Sequence, residues 1–310
     1  MLVALAGGIG AARFLRGMVA ARPPSDLTVI VNTGDDIVLH GLYVSPDIDS
    51  ITYTLAGAAD SERGWGLAGE SFACRAQLAA YGEPTWFSLG DRDLATHLVR
   101  TRMLAEGRTL SEVTAEIARR WDLECRILPM CDEHVETRVV IQDGSERRDV
   151  HFQEYWVGRG AHDPVVEVRY AGIETSHPAP GVLDAIARCQ GVVVCPSNPI
   201  VSIGTILAVP GIREALRSCG ARIVAVSPIV GGAPVRGMAD KLMPAAGVDV
   251  SALGVARLYA DILDGFVLDS VDADQVEAVE ALGIKALATQ SIMRTHDDAV
   301  ALAEAALSLL

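Results

Sequence analysis

Four carboxylates, Asp35, Asp36, Asp47 and Asp49, crowd into the short stretch that follows the apolar run Leu27–Val31. In an open α/β sheet, ligands lie beyond the carboxyl ends of the strands, so an acidic cluster at that place can hold a hard cation through oxygen ligands. Asp47 and Asp49 flank Ile48 at a spacing that suits a cation-binding loop. Helix capping is the competing use, because Asp49 or Ser50 also suits the N-cap of "SITYTLAGA". A second chemistry stands at "LAGGIGAARFLRG", where Gly7, Gly8 and Gly10 follow one strand and open a helix whose N–H groups can receive an anion. Two later segments repeat the design. "VVVCPSNPIVSIG" places Ser197 and Asn198 between prolines and Ser202, Ile203 and Gly204 ahead of another helix, and "AVSPIVGGAPVRGMADKLM" adds Arg236 and Lys241 as local positive charges. "SLGDRDLATH" contributes Arg92, a planar donor for phosphate or carbonyl, and His97, with Asp91 as N-cap and Asp93 in the first helical turn.

The elements that must position these residues read as βαβ units. The runs "LVALA", "LTVIV", "GVVVC", "ARIVAVS" and "GFVLD" each end in turn residues and lead to a helical pattern. Helices are expected at 11–21, 70–81, 93–106, 110–121, 182–189, 211–218, 272–282 and 296–309. From Cys125 to Tyr170 the texture changes to "HVETRVVIQ" and "RDVHFQEYWV", which predicts antiparallel strands. The expected architecture is α/β: one Rossmann-like domain over 1–310, a mostly parallel sheet flanked by helices, with a smaller inserted α+β subdomain at about 105–175. The helix after His296 suits either the core or an interface.

Composition narrows the function classes. A net charge of -14 over 310 residues opposes a general nucleic-acid or anionic-membrane surface, so phosphate must be held locally. The uncharged stretch Cys189–Ile212 is broken by Pro196, Pro199 and Pro210 and reads as strand, loop and helix rather than a membrane span. No basic region precedes the apolar start, which points to the cytoplasm. Six scattered cysteines without a Cys-x-x-Cys pair give no zinc signature and read as reduced structural thiols. The dinucleotide fingerprint is incomplete, because Arg13 stands where its third glycine would fall and Asn32 ends the second strand, so a nicotinamide-dependent dehydrogenase is disfavoured.

In order, "GGIGAARFL", "NTGDD", "SPDIDS", "RGWG", "LGDRDLATH", "ILPMCDE", "HFQEYWV", "PSNPIVSIG" and "VSPIVGGAPVRGMADKLMPAAG" resemble the 2-phospho-L-lactate transferase family of coenzyme F-420 biosynthesis, from Gly7 to Gly247. The resemblance implies transfer of a phospholactyl, phosphoenolpyruvyl or 3-phosphoglyceryl group from a guanosine-diphosphate-linked donor to the ribityl hydroxyl of the deazaflavin Fo. GMP leaves, and Mg²⁺ is the implied cofactor. Asp49, Asp47 and Arg92 are the implied catalytic residues, and Asp47, Asp49 and Asp60 the implied metal ligands. Asp49 and Arg92 would face the acceptor, together with Asn32, Asp35, Asp36, Ser88, Gly90, Asp91 and His97. Gly7, Gly8, Ile9, Gly10, Ala11, Ser197, Asn198, Ser202, Ile203 and Gly204 would face the nucleotide.

The resemblance also implies a homodimer. Departures from the family pattern are modest: Ile9 and Ser50 stand where relatives often carry Thr, and Cys131 where Ser is frequent. Trp65, Trp86 and Trp156 are candidates for the pocket wall, and Asp49→Asn is expected to abolish transfer with the fold intact. The alternative is a regulatory sugar-nucleotide-binding protein of the gluconeogenesis-factor-like group.

Overall fold

A computed structural model describes every residue from Met1 to Leu310. The five apolar runs become buried strands of one seven-stranded sheet, made of β1 (Leu2–Ala6), β2 (Leu27–Val31), β3 (Arg126–Pro129), β4 (Gly191–Val194), β5 (Arg222–Val226), β6 (Gly265–Asp269) and β7 (Lys285–Thr289). They lie side by side as β7-β6-β5-β4-β1-β2-β3, and every neighbouring pair is parallel. The chain order turns back between β1 and β4. That switch point opens the crevice in which ligands of doubly wound folds lie.

Side-chain alternation along the strands divides the core between the two faces of the sheet. Val3, Leu5 and Ile30 join one cluster with helices Val182–Arg188 and Ala252–Tyr259, while Ala4, Val29 and Val31 face α1 (Gly8–Ala21), α2 (Pro46–Leu55) and the C-terminal helix His296–Leu307. That last helix is core: Leu302, Ala303 and Ala306 are buried, and the Ala299 carbonyl lies against Gly17 of α1. No helix is long and apolar enough to cross a membrane.

The segment from Cys125 onward departs from its expected texture in two places. Arg126–Pro129 is the edge strand of the parallel sheet, paired with β2, rather than part of an antiparallel layer. The three-stranded antiparallel sheet comes later, with Glu136–Asp143 between Glu146–His151 and Val165–Ala171. "RDVHFQEYWV" is strand only as far as His151. Glu154–Gly158 then forms one wide π-type turn, a geometry common at functional sites, which carries Trp156 and Val157 to the cleft.

Candidate active site

The residues singled out by type meet at the carboxyl end of the sheet, around a cleft of about 550 Å³. Glycine is required on its floor. A Cβ on Gly7 would lie 2.6 Å from Ser202 Cβ, and one on Gly10 would lie 2.7 Å from the Pro196 carbonyl oxygen. The turn after β1 therefore packs directly on the turn after β4, and the Gly7 amide donates to Ser197 Oγ at 3.1 Å. Asn198 shapes its own loop, its side-chain oxygen accepting from the amides of Ile200 and Val201.

Asp47 and Asp49 lie in the first turn of α2, not in a loop. Pro46 is suited to that turn, since it needs no N–H there, and Ser45 takes the cap position that Asp49 or Ser50 was expected to fill. The helix sets the two carboxylates in different company. Asp49 is clamped by Arg100, which is fully buried and donates through Nη1 at 3.0 Å and through Nη2. Burial disfavours the Arg100 charge, but the Asp49 carboxylate overcomes it and raises the Arg100 pKa. Arg100 Nη1 also lies 3.2 Å from His97 Nδ1, and the other ring nitrogen, Nε2, lies 3.3 Å from Asp93 Oδ2. Tyr53 completes the network by donating to Asp93 at 2.6 Å.

Asp47 has no cationic partner. It accepts from Asn32 Nδ2 at 2.9 Å, and burial pushes its pKa up to about 6 against the lowering pull of Asn32 and the Gly8 amide. Asp35 is also raised, first by burial and then by the charge of Asp47, and its Oδ1 meets no hydrogen-bond donor. Gln153 donates to the other oxygen at 3.3 Å, tying the antiparallel region to the site. Asp36 sits behind them, with burial raising its pKa and Ser45 donating to it at 2.8 Å.

Two buried carboxylates, one with an orphaned oxygen, both lining one cleft, offer oxygen donors of the kind a hard cation takes. A second acidic constellation, Asp49, Asp93 and His97, has ligand atoms within 4.8 Å of one another. The guanidinium of Arg100 already supplies its positive charge.

Of the expected residues, Gly7, Gly8, Ile9, Gly10, Asp35, Asp47, Asp49, Ser88, His97, Ser197, Asn198 and Ser202 line the cleft. Asn32, Asp36, Ala11, Ile203 and Gly204 stand behind that lining, where Asn32 joins the end of β2 to the Val201 carbonyl. Arg92, Gly90 and Asp91 do not reach it. Arg92 is exposed and donates to the Ala68 carbonyl. Its neighbour Asp91 caps α3 (Ala73–Ala80), accepting from the amides of Ala73 and Cys74, rather than α4 (Asp93–Ala105), whose first amides go to Glu70.

Asp60 is likewise outside, holding Arg63 at 2.9 Å and the amides of its own turn. Lys241 donates to the Ala161 carbonyl instead of facing the cleft. Trp65 and Trp156 line the cleft and Trp86 does not. Sequence reasoning missed Arg100, Tyr53, Phe87, Gln153 and Arg13. Arg100 alone had a readable signal, since Asp93, His97 and Arg100 share one face of a helix.

The model of one protein family, described as "2-phospho-L-lactate transferase CofD", matches residues 2–304. A phosphoenolpyruvate transferase of Streptomyces griseus subsp. griseus is 53% identical over 310 residues, covering 99% of this chain and 98% of that protein. One of Mycolicibacterium smegmatis is 43% identical over 325 residues, with coverage of 99% and 98%. Among solved structures, a UPF0052-family protein of Bacillus halodurans superposes with a TM-score of 0.67 at 18% identity, over 99% of this chain and 98% of that one, a likeness of fold. With a match along nearly its whole length, and an acidic pair set beside a glycine turn at the sheet's switch point, the chain belongs to the 2-phospho-L-lactate transferase (CofD) family.

Proposed function

We propose that this protein transfers a phospho-three-carbon-acid group, phosphoenolpyruvyl in the first instance, from a guanosine-diphosphate-linked donor to the ribityl hydroxyl of the deazaflavin Fo. The observation that carries the reading is the pair Asp35 and Asp47, two buried carboxylates raised in pKa beside the Gly7–Gly10 turn. The family match and the relatives named phosphoenolpyruvate transferase support the choice of group.

Asp35 and Asp47 are the residues that would hold Mg²⁺, which would supply positive charge to phosphate oxygens there. Asp49 is proposed for the acceptor, not the metal, because Arg100 neutralises it through both oxygens. Asp60 and Arg92 leave the catalytic set. Arg92 holds the Ala68 carbonyl, and with it the loop that presents Trp65. Trp65, Phe87 and Trp156 give the acceptor side of the cleft a set of aromatic surfaces for a flat ring system.

The hydroxyl oxygen forms a bond to the donor's β-phosphorus while the bond from that phosphorus to the GMP oxygen breaks, and the hydroxyl proton is released to solvent. The residues act by placing the hydroxyl in line with that phosphorus and by stabilising the charge that develops on the leaving phosphate. Asp49 orients the hydroxyl, and the Gly7–Gly10 and Ser197–Ser202 turns hold the nucleotide phosphates.

The test is an assay of purified protein with Fo, Mg²⁺ and each of the three guanosine-diphosphate-linked acids, read by product mass and GMP release. GMP release with formation of the phosphodiester by the phosphoenolpyruvyl donor is expected. Tight nucleotide binding without product from any donor would replace this reading with a regulatory nucleotide-binding protein. The cytoplasm and a homodimeric state are proposed on family resemblance.

A further inference from the structure

Arg13 and Arg236 are the two cleft-lining arginines to which the site above gives no task. Arg13 stands on α1, three residues beyond Gly10, and Arg236 follows the short hairpin Ile229–Pro234 after β5. They reach toward one place from opposite sides. Arg236 Nη1 and Arg13 Nη2 lie 2.9 Å and 3.5 Å from the position that a Cβ on Gly64 would occupy. Gly64 itself has φ +74°, in the left-handed region, and so leaves that spot free of a side chain.

The pair is set apart by being two guanidinium groups side by side in the cleft wall with no carboxylate between them. Arg63, Arg100, Arg138, Arg159, Arg169 and Arg213 each hold a carboxylate, as the excess of 40 acidic over 26 basic side chains makes easy. Arg13 and Arg236 hold none, and each has the other guanidinium for a neighbour. Burial first, and the Arg13 charge second, lower the Arg236 pKa. Like charges brought together without a counter-ion repel, and a guanidinium fork is shaped to receive a planar oxyanion through two parallel hydrogen bonds.

We propose that Arg13 and Arg236 form a clamp for the anionic end of the donor beyond its α-phosphate, and so set which donors the cleft accepts. The inference rests on the guanosine-diphosphate-linked donor proposed above. Two groups of that donor share the required chemistry, its β-phosphate and the carboxylate of its three-carbon acid. The clamp also accounts for how an acidic protein attracts an anion, because two uncompensated positive charges at a cleft mouth focus the local field.

The experiment measures the affinity of wild-type protein, Arg13→Gln, Arg236→Gln and the double variant for GMP, GDP and the complete donor, by calorimetry without Fo. Arg16→Gln serves as control, since Arg16 lies on the same helix outside the cleft and donates to His296. Each clamp variant is expected to unfold at an unchanged or slightly higher denaturant concentration, because no native partner is lost.

Loss of an ion-assisted hydrogen bond predicts roughly tenfold to a hundredfold weaker binding per arginine. A loss for GDP and donor with GMP unchanged assigns the clamp to the β-phosphate, and a loss for donor alone assigns it to the carboxylate. Equal losses for all three ligands, or no loss for any, overturn the clamp. Should wild-type protein bind none of them, the nucleotide reading fails, and titration of inorganic pyrophosphate and phosphoenolpyruvate decides the clamp alone. Binding of either that disappears in the double variant retains it, and no arginine-dependent binding overturns it.

Discussion

Asp47 and Asp49 are two residues apart on one helical turn and live in opposite electrostatic states. Asp49 is satisfied by a buried arginine, whereas Asp47 is buried without a cation. Removing the Asp49 charge therefore leaves Arg100 buried and unpaired, a change that costs about 3–5 kcal/mol. Asp49→Asn is predicted to lower the urea midpoint as well as turnover, which revises the expectation that the fold would be untouched. Replacing both partners, as Asp49→Leu with Arg100→Leu, should recover most of that stability without recovering transfer.

Asp35→Asn should behave in the reverse way. The substitution removes a buried charge that burial and Asp47 both disfavour, so metal-free protein should be equally or more stable in urea while turnover is lost. The four aspartates were legible in sequence because carboxylates after a buried strand are conspicuous. Their difference was not, since it depends on an arginine fifty residues away on another helix.

At the scale of elements, contacts between backbones fix the site. α1 meets the C-terminal helix so closely that a Cβ on Gly17 would lie 2.1 Å from the Ala299 carbonyl oxygen. Gly17→Ala is predicted to destabilise the protein by about 1–3 kcal/mol, measured in urea, with nucleotide affinity unchanged in the folded fraction. Gly10→Ala meets the Pro196 carbonyl instead, inside the site, and should weaken nucleotide binding more than it weakens the fold.

Glu70 and Asp91 cap each other's helices, Glu70 receiving the first amides of α4 and Asp91 those of α3. This exchange explains why Asp91, correctly suspected of capping, was assigned to the wrong helix: a cap is recognised in sequence by nearness to its own helix. The five apolar strands could be read because all five are buried and end in turn residues. β3 was missed because it is four residues long and ends in Pro129, and β7 because its Lys285–Thr289 run is only half-buried and weakly apolar. α2 was shortened because Pro46 reads as a loop residue although it suits a helix start.

Across the whole molecule, a net charge of -14 surrounds a cleft proposed to admit an anionic donor, and the positive charges at that cleft are few and specific. The parallel sheet was implied by the βαβ rhythm, though its strand order and switch point were not, and the family by motifs spread from Gly7 to Gly247. Gln153 could not be placed in the cleft that way, because it enters from the antiparallel region, whereas Trp156 and Arg236, both candidates from sequence, line it.

The role proposed for the Asp35–Asp47 pair is to carry the transfer by holding Mg²⁺. Its most direct measurement is the rate of GMP release from the phosphoenolpyruvyl donor with Fo across a Mg²⁺ titration, for wild-type protein and Asp47→Asn. Release is expected to rise with Mg²⁺ and saturate in wild type, to stop on addition of a chelator, and to be lost in folded Asp47→Asn. Release by Asp47→Asn at a near wild-type rate and with the same Mg²⁺ dependence would contradict it.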